Sequence, residues 1–353
     1  MKNVLYVGPY RQNDEWGITS RALVSSLSKN ENINLCIRPI WFNQDHNLID
    51  IGSLSKYENK KVLPEQKEIL IQHGIPTYLN YNGDFQQNII ALSLDCGIEN
   101  TSWADHIELF DKVLVFSDNE KKLLEKSNIK TPAFSFKHPP LFENFNMNNL
   151  NFQFQGVKFY AKVSLDQKSS LEEIATSYLS AFKIPDNALL TLCVSQNEAE
   201  KVASLLDEIK TQLGINTDHD YYNDIAVAPI EDIETMNYIH NVCDYFIDCS
   251  YNCRIGQDLL RSIAFGSTPI VLDTCSEFTG EDYDFLVQSN DEIIRYERRP
   301  LRNLYSGEGS WKTPNTLSLK EILKFAYQTH GEQRKRIPIN NDFKESIEEL
   351  LCI

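Results

Sequence analysis

Basic side chains around one glycine are the residues of this sequence whose types and spacing best suit chemistry. Lys162 and Lys168 follow one predicted strand, and Arg254 and Arg261 flank Gly256 at the start of a predicted helix. Ammonium and guanidinium groups bind phosphate oxygens, and the N–H groups at a helix start favour the same anions. The pattern predicts an anion site in the second half of the chain. The plain alternative for the two lysines is a pair of solvated surface residues.

Residues suited to hydroxyl recognition lie in the first half. His73 ends one predicted strand, and Glu99 and Trp103 follow the next one. An imidazole or a carboxylate at a strand end can act as a general base, and an indole can stack on a ring. We predict catalytic roles for His73 and Glu99 and a binding role for Trp103. Their plain alternatives are a structural histidine, a solvated glutamate and a core tryptophan.

Composition favours a soluble globular chain with two cores. With 353 residues, 42% hydrophobic and 24% charged, the chain exceeds the size of one ordinary core. Its 34 Lys and Arg against 50 Asp and Glu give a net charge of -16, which repels nucleic acids and anionic lipids. No apolar run reaches the roughly 18 residues of a membrane span, and the opening "MKNVLYVGPY" is too short for a signal segment. We expect a cytoplasmic protein that neither binds nucleic acid nor inserts stably into membranes.

Metal and redox chemistry have no motif in this sequence. The eight cysteines are scattered, without a Cys-x-x-Cys pair, and we interpret them as reduced core residues. Gly8 and Gly17 do not have the Gly-x-Gly-x-x-Gly spacing of a dinucleotide fingerprint. We therefore expect no metal ion and no cofactor.

Short apolar runs alternate with amphipathic helical stretches along the whole chain, which is typical of parallel sheets with crossover helices. A segment rich in Pro and Asn at 138–156 interrupts the alternation and predicts a connector, with a boundary near residue 150. The predicted fold class is α/β, with two Rossmann-like doubly wound domains and a cleft between them. They cover residues 1–150 and 151–338, and a C-terminal helix within 339–353 is expected to pack at the domain junction.

This organisation resembles the GT-B glycosyltransferases over essentially the whole chain. The segment "RIGQDLLRSIAFGSTPIV" is similar to the pattern "GFGLPLLEAMACGTPVI" of their large retaining group, which includes bacterial mannosyltransferases and glycogen synthases. The opening "YVGPYRQNDEWGITSRALVSSL" and the strand end "EILIQHGIP" resemble a subset of that group more loosely. The order and spacing of these pieces carry the resemblance, because each piece alone is weak.

The resemblance implies transfer of a sugar from a nucleotide-sugar donor, which is a substrate and not a cofactor, to an acceptor hydroxyl. The expected reaction retains configuration and needs no metal, and the acceptor is a glycan, a protein or a small molecule. The residues that the resemblance places at the donor are Lys162, Lys168, Arg254, Gly256, Asp258 and Arg261, and those at the acceptor are Tyr10, Trp16, Gly17 and Trp103.

Two positions depart from the family pattern. The family has two glutamates eight positions apart, one near the donor sugar and one on the ribose diol, where this chain has Cys253 and Arg261. A thiol is a weak acceptor of hydrogen bonds and a guanidinium accepts none, so donor recognition must differ. Arg254 and Arg261 can strengthen the anion site while Asp258 supplies a displaced carboxylate, and Arg261→Glu should then weaken donor binding.

The other interpretation of these departures puts Arg261 on the outer surface of its helix, in a site that has lost its chemistry. The chain is then a catalytically degenerate binding or scaffold subunit, with an active transferase as its partner. An epimerase of the same architecture is disfavoured, since no acidic cluster is arranged for it.

Overall fold

The computed structural model describes residues 1–12, 15–42, 49–62, 64–94, 101–136, 154–165, 168–215, 223–230, 233–250, 256–275, 278, 283–294, 309–331 and 343–351. The predicted boundary near residue 150 lies outside the described residues. The same holds for Glu99, Cys253 and Arg254.

In the first half, the described strands form one parallel sheet in the order β2-β1-β3-β4-β5-β6. The strands are β1 (Lys2–Gly8), β2 (Ile33–Pro39), β3 (Ile69–His73), β4 (Gln87–Ala91), β5 (Lys112–Val115) and β6 (Ala133–Ser135). Their central residues are almost all buried, because crossover helices cover both faces of the sheet. The strand order changes direction between β1 and β3, which is where such sheets hold ligands.

Four α-helices accompany this sheet in the described residues of the first half. They are α1 (Glu15–Ser28), α2 (Ser55–Glu58), α3 (Thr101–Ile107) and α4 (Asp118–Lys126). Helix α1 begins at Glu15, so Trp16 and Gly17 lie in its first turn. At the start of α4, the Ser117 hydroxyl accepts a hydrogen bond from the Glu120 amide at 3.1 Å, which satisfies an otherwise unpaired N–H group.

In the second half, the described strands form another parallel sheet, in the order β12-β11-β10-β7-β8-β9. The strands are β7 (Val157–Lys162), β8 (Ala188–Ser195), β9 (Ile225–Ile230), β10 (Tyr245–Asp248), β11 (Thr268–Leu272) and β12 (Leu286–Val287). Here the order changes direction between β7 and β10. The predicted α/β class with two Rossmann-like domains is confirmed.

Around the second sheet the structure shows five helices in the described ranges and a hairpin that the sequence patterns did not predict. The helices are α5 (Lys168–Ala181), α6 (Ala199–Gln212), α7 (Ile233–Val242), α8 (Gln257–Phe265) and α9 (Thr316–Gln328), and the antiparallel strands are β13 (Ser289–Ile294) and β14 (Gly309–Pro314). Helix α9 was also not predicted. It packs against α5, and its buried residues Leu319, Leu323 and Ala326 belong to the core of the second domain.

The last helix, α10 (Phe343–Leu351), returns to the first domain. Ile347, Leu350 and Leu351 are part of the first domain's core, and the Lys112 ammonium donates to the Leu350 carbonyl. The last described helix thus packs against the domain that contains β1. None of the helices in the described part of the chain is long and apolar enough to cross a membrane.

Candidate functional site

The point where the second sheet changes direction carries several of the predicted donor residues. Lys162 is the last residue of β7, and β10 ends at Asp248, whose carboxylate accepts a hydrogen bond from the Ser250 hydroxyl at 2.7 Å. Helix α8 follows, and its N-cap is Gly256, which has no side chain. Ligands of open parallel sheets bind outside the carboxyl ends of the strands at this kind of position. The edge formed by β7, β10 and the start of α8 is therefore the candidate site.

Asp258 is the centre of a cluster of charges at this edge. Its Oδ2 lies 2.5 Å from the Lys162 ammonium, and its Oδ1 lies 3.5 Å from Nη1 of Arg261. Asp258 and Arg261 are three residues apart on α8, a spacing that places both side chains on one face of the helix. The side chain of Lys162 is 48% exposed, whereas those of Asp258 and Arg261 are 11% and 1% exposed. The cluster therefore presents its ammonium to solvent and keeps its carboxylate and guanidinium inside.

Arg261 does not lie on the outer surface of α8. The interpretation that placed it there is wrong, because the guanidinium is buried against Asp258. A buried charge is costly unless it is paired, so this arginine needs its carboxylate partner.

The neighbours of Asp258 control its ionisation. Burial alone would raise the pKa of this carboxyl, but Lys162, His240 and Arg261 together hold that pKa well below its ordinary value. The Nε2 atom of His240 lies 3.7 Å from Asp258 Oδ1. Burial lowers the pKa of the His240 imidazole, an effect that Asp258 partly opposes. At neutral pH the cluster contains two cations, one carboxylate and a neutral imidazole.

A chain of buried polar groups lies behind the cluster. The hydroxyl of Tyr160 lies 2.7 Å from His240 Nδ1 and 3.1 Å from Ser267 Oγ. Ser267 in turn donates to the His240 carbonyl, at 2.7 Å. Tyr160 and His240 are fully buried, so these hydrogen bonds fix the imidazole that faces Asp258.

The first domain has a similar buried group where its own sheet changes direction. The Tyr6 hydroxyl lies 2.6 Å from Ser20 Oγ and 2.8 Å from Nδ1 of His73. The His73 ring packs against Trp16 and Phe116, with ring centroids 5.6 and 5.1 Å apart. His73 has no exposed surface, and a general base must reach the hydroxyl that it activates. The arrangement gives His73 a supporting position, and its catalytic role stays a prediction.

The loop after β1 is held by Glu58, a residue that the sequence patterns did not single out. The carboxylate of Glu58 accepts hydrogen bonds from the Tyr10 hydroxyl at 2.8 Å and from Arg11 Nη2 at 2.6 Å. Arg11 Nε contacts the other Glu58 oxygen at 2.8 Å, so the ion pair has two parallel hydrogen bonds. Tyr10 itself is buried, so its ring supports the loop and offers no accessible face to an acceptor.

Gly17 allows the same loop to cross the first turn of α1 closely. A Cβ atom at Gly17 would lie 2.0 Å from the carbonyl oxygen of Gln12, closer than real contacts allow. The guanidinium of Arg21, which is also on α1, donates to the carbonyls of Tyr10 and Gln12 at 3.0 and 2.7 Å. The predicted acceptor residue Gly17 thus has a clear packing role, and its contact with an acceptor stays a prediction.

The structure brings four of the predicted donor residues to one edge, namely Lys162, Gly256, Asp258 and Arg261. Lys168 begins α5, but its side chain lies outside the described residues. Trp103 is 6% exposed and belongs to a cluster of buried apolar residues, as its plain alternative requires. Trp16 is partly buried and packs against the ring of Phe42.

His240 and Tyr160 escaped the sequence patterns because both lie inside apolar runs that favour core positions. In the described ranges, no group of three or more His, Cys, Asp or Glu residues is arranged to hold a metal ion. Helices α1 and α8 approach each other, and both begin at the carboxyl edges of their sheets. Their approach brings α8 of the second domain near α1 of the first.

No family model and no curated protein matches the sequence. Solved structures, however, share its fold along nearly their whole length. S. aureus MnaA, in a co-structure with UDP, is 11% identical, with a TM-score of 0.55 over 99% of this chain and 95% of that one. Anabaena HepE, in complex with UDP and glucose, is 9% identical, with a TM-score of 0.54 over 100% of both chains. A glycosyltransferase from Rickettsia africae is 13% identical, with a TM-score of 0.54 over 99% of this chain and 93% of that one.

These likenesses show the fold of the chain: two Rossmann-like domains in the GT-B arrangement.

Proposed function

We propose that this chain is a glycosyltransferase that moves a sugar from a nucleotide-sugar donor to an acceptor hydroxyl. The observation that carries the proposal is the Lys162–Asp258–Arg261 cluster at the edge where the second sheet changes direction. Proteins of the same fold include a glycosyltransferase and a protein in complex with UDP and glucose. A cation at this edge is what the diphosphate of such a donor requires.

In this proposal the donor diphosphate binds between Lys162 and the start of α8. Lys162 supplies a charged donor of hydrogen bonds, and the amides after Gly256 supply the partial positive charge of a helix N-terminus. Asp258 holds the flexible lysine side chain in place, so less conformational entropy is lost when the phosphate binds. Lys168 and Arg254 remain proposed members of the same site.

The proposed reaction retains configuration and uses no metal. Negative charge develops on the departing diphosphate, and fixed cations beside it stabilise that charge in the transition state. The facing loop of the first domain, held by Glu58, Arg21 and Gly17, then positions the acceptor with Trp16 beside it. Glu99 is the proposed general base, and the proposed catalytic part of His73, which has no exposed surface, is to support the site from behind.

The second candidate function is a binding or scaffold subunit without catalysis. The burial of Arg261 against Asp258 favours it, since this position holds an internal cation instead of an accessible carboxylate. Binding of a donor without its turnover would distinguish this candidate from the enzyme.

Isothermal titration with UDP, GDP, ADP and UDP-sugars tests the proposal on the intact chain. Lys162→Ala should weaken binding of the preferred nucleotide by about 1–3 kcal/mol, because one charge-assisted contact to phosphate is lost. Lys201, an exposed residue of α6, gives the matched control, and Lys201→Ala should leave affinity unchanged. Hydrolysis of the bound UDP-sugar supports the enzyme. The absence of binding by every nucleotide would end the proposal.

A further inference from the structure

We infer that Arg261 is a positioning residue of the candidate donor site: it offsets the carboxylate of Asp258 and leaves the positive charge of Lys162 available to a diphosphate. This inference rests on the proposed function and gives Arg261 an indirect part in it. Arg261 acts through Asp258 and does not contact the ligand. The three side chains lie on β7 and α8, at the edge where the second sheet changes direction.

The Lys162 ammonium faces a carboxylate, which weakens its attraction for an anion. Asp258 Oδ2 lies 2.5 Å from Lys162 Nζ, so a phosphate that approaches the ammonium also approaches a negative charge. Attraction and repulsion fall off with distance in the same way, and a closely spaced ion pair therefore attracts a third charge weakly. Because the pKa of Asp258 is held well below its ordinary value, this carboxylate is ionised at neutral pH. Lys162 and Asp258 alone thus have no net charge to offer a diphosphate.

Arg261 supplies the charge that this pair lacks. Its Nη1 atom lies 3.5 Å from Asp258 Oδ1, whereas Lys162 contacts the other oxygen of the same carboxylate. Asp258 thus lies between two cations, and the three side chains together have one net positive charge. His240 adds none at neutral pH, since burial lowers the pKa of its imidazole. Lys162 is the half-exposed member of the three, so it presents this net charge to solvent.

The position of Arg261 keeps it from a direct contact with a ligand at the start of α8. Its side chain is 1% exposed, and on α8 it comes one turn after Asp258, farther from the N-cap Gly256. A buried guanidinium has little freedom to move, so its contact with Oδ1 holds the Asp258 carboxylate with Oδ2 toward Lys162. Arg261 therefore provides both a charge and an orientation, and Lys162 is the residue that meets the ligand.

Isothermal titration of the intact chain with inorganic pyrophosphate, UDP, GDP and ADP tests the inference, and the ligand that wild type binds most tightly is the probe for the variants. Arg261→Met removes the charge and should weaken binding of the probe about tenfold, because the Asp258 carboxylate then opposes the anion. Arg261→Lys restores a positive charge on an equally unbranched side chain, and its affinity should lie within about threefold of wild type. Lys201→Met removes a positive charge from the exposed side of α6 and should bind as wild type does.

The double variant Asp258→Asn/Arg261→Met separates an offset of charge from a contact with the ligand. It removes both charges of the buried pair, a change that folded proteins often tolerate, and leaves Lys162 as the charged member of the cluster. An offset predicts an affinity for the probe within about threefold of wild type, because the net charge of the cluster is unchanged. A direct contact by Arg261 predicts a loss of about tenfold or more, and that result would overturn the inference even if Arg261→Met alone does not fold.

The failure of the inference and the failure of the proposed function give different results. Wild-type affinity of Arg261→Met, or an Arg261→Lys protein that binds as weakly as Arg261→Met, would overturn the inference and leave the proposed function in place. A wild-type chain that binds neither pyrophosphate nor any of the three nucleotides would end the proposed function, and the inference with it. Hydrogen exchange of α8 under the conditions of the titration shows that each variant compared is folded.

Discussion

Both domains contain a buried hydrogen-bonded group of a tyrosine, a histidine and a serine, and the tyrosine has the same position on the first strand of each sheet. Tyr6 and Tyr160 each stand two residues before the end of the first strand of their sheets, at Gly8 and Lys162. In each domain the tyrosine hydroxyl lies within 2.8 Å of a buried histidine Nδ1, and a serine hydroxyl lies nearby. The similarity shows that a doubly wound sheet can fix a histidine behind the point where its strand order changes direction.

The surroundings of the two histidines differ. His240 faces Asp258, through which it is connected to the half-exposed Lys162. His73 instead packs against the rings of Trp16 and Phe116. One edge of the cleft is thus built around charge and the other around aromatic rings. This division suits a phosphate-bearing donor on the second domain and a ring-bearing acceptor on the first.

The largest expected effect comes from reversing the charge of Arg261 in the Lys162–Asp258–Arg261 cluster. Arg261→Glu places two carboxylates side by side in a buried position, with Lys162 as the half-exposed cation beside them. We expect the second domain to lose about 3–5 kcal/mol of stability, as when a buried ion pair is broken. Urea unfolding followed by hydrogen exchange of each domain measures this loss.

The matched control is Arg261→Met, which keeps an unbranched side chain in the inner part of the same space and removes the charge. Asp258 then still pairs with Lys162, so the loss should be clearly smaller than for Arg261→Glu. Wild-type stability of the Arg261→Glu protein would contradict the buried position of this residue. Exchange in the first-domain sheet should remain unchanged in both variants.

Much of the fold could be predicted from the sequence because apolar runs and helical periods report burial directly. Most strands between β1 and β11 and several of the connecting helices correspond to the apolar runs and amphipathic stretches that alternate along the sequence. Helix α9 carried a readable signal that was missed, since Asn315 accepts a hydrogen bond from the Ser318 amide as an N-cap before a regular apolar pattern. The hairpin of β13 and β14 alternates too weakly to be predicted.

The candidate site was predictable only in part. Lys162 and Gly256 stand where strand ends and helix starts place them, which is information local to the sequence. The meeting of His240 on α7 with Asp258 on α8 depends on how two helices pack over one sheet, and no spacing records it. The burial of Arg261 also depends on how α8 packs. The sequence alone predicts the opposite, because a charged residue in a helical pattern normally faces solvent.

A smaller effect should separate the two tyrosines. Tyr160→Phe and Tyr6→Phe each remove a buried hydroxyl and leave a histidine nitrogen without that partner, which should cost about 1–3 kcal/mol in either domain. Only Tyr160→Phe should also weaken pyrophosphate binding, because only His240 is connected to Asp258 and Lys162.

Titration calorimetry of both variants, at a temperature where each is folded, makes this comparison. Equal losses of pyrophosphate affinity in the two variants would show that both tyrosine hydroxyls affect binding only through the stability of the protein. In that case the contacts that connect Tyr160 through His240 and Asp258 to Lys162 have no part in anion binding.

The smallest expected effect is a pH dependence of the stability of the second domain. Burial holds the pKa of His240 below its ordinary value of 6.5, so the unfolded chain binds a proton more readily than the folded one. The stability that the neutral imidazole contributes is complete above pH 6.5 and declines as the pH falls from there through the folded-state pKa. The pKa of Asp258 is lowered from 3.8, so its contribution stays constant until the pH falls below about that value. Between pH 7 and 5 the change in stability therefore belongs to His240, at no more than about 1.4 kcal/mol per pH unit.

Hydrogen exchange of β7 and α8, corrected for the intrinsic rate, should show this decline in wild type and in the control His330→Gln, whose histidine is exposed. His240→Gln should remove the decline, and an unchanged slope in that variant would assign the pH dependence to another group.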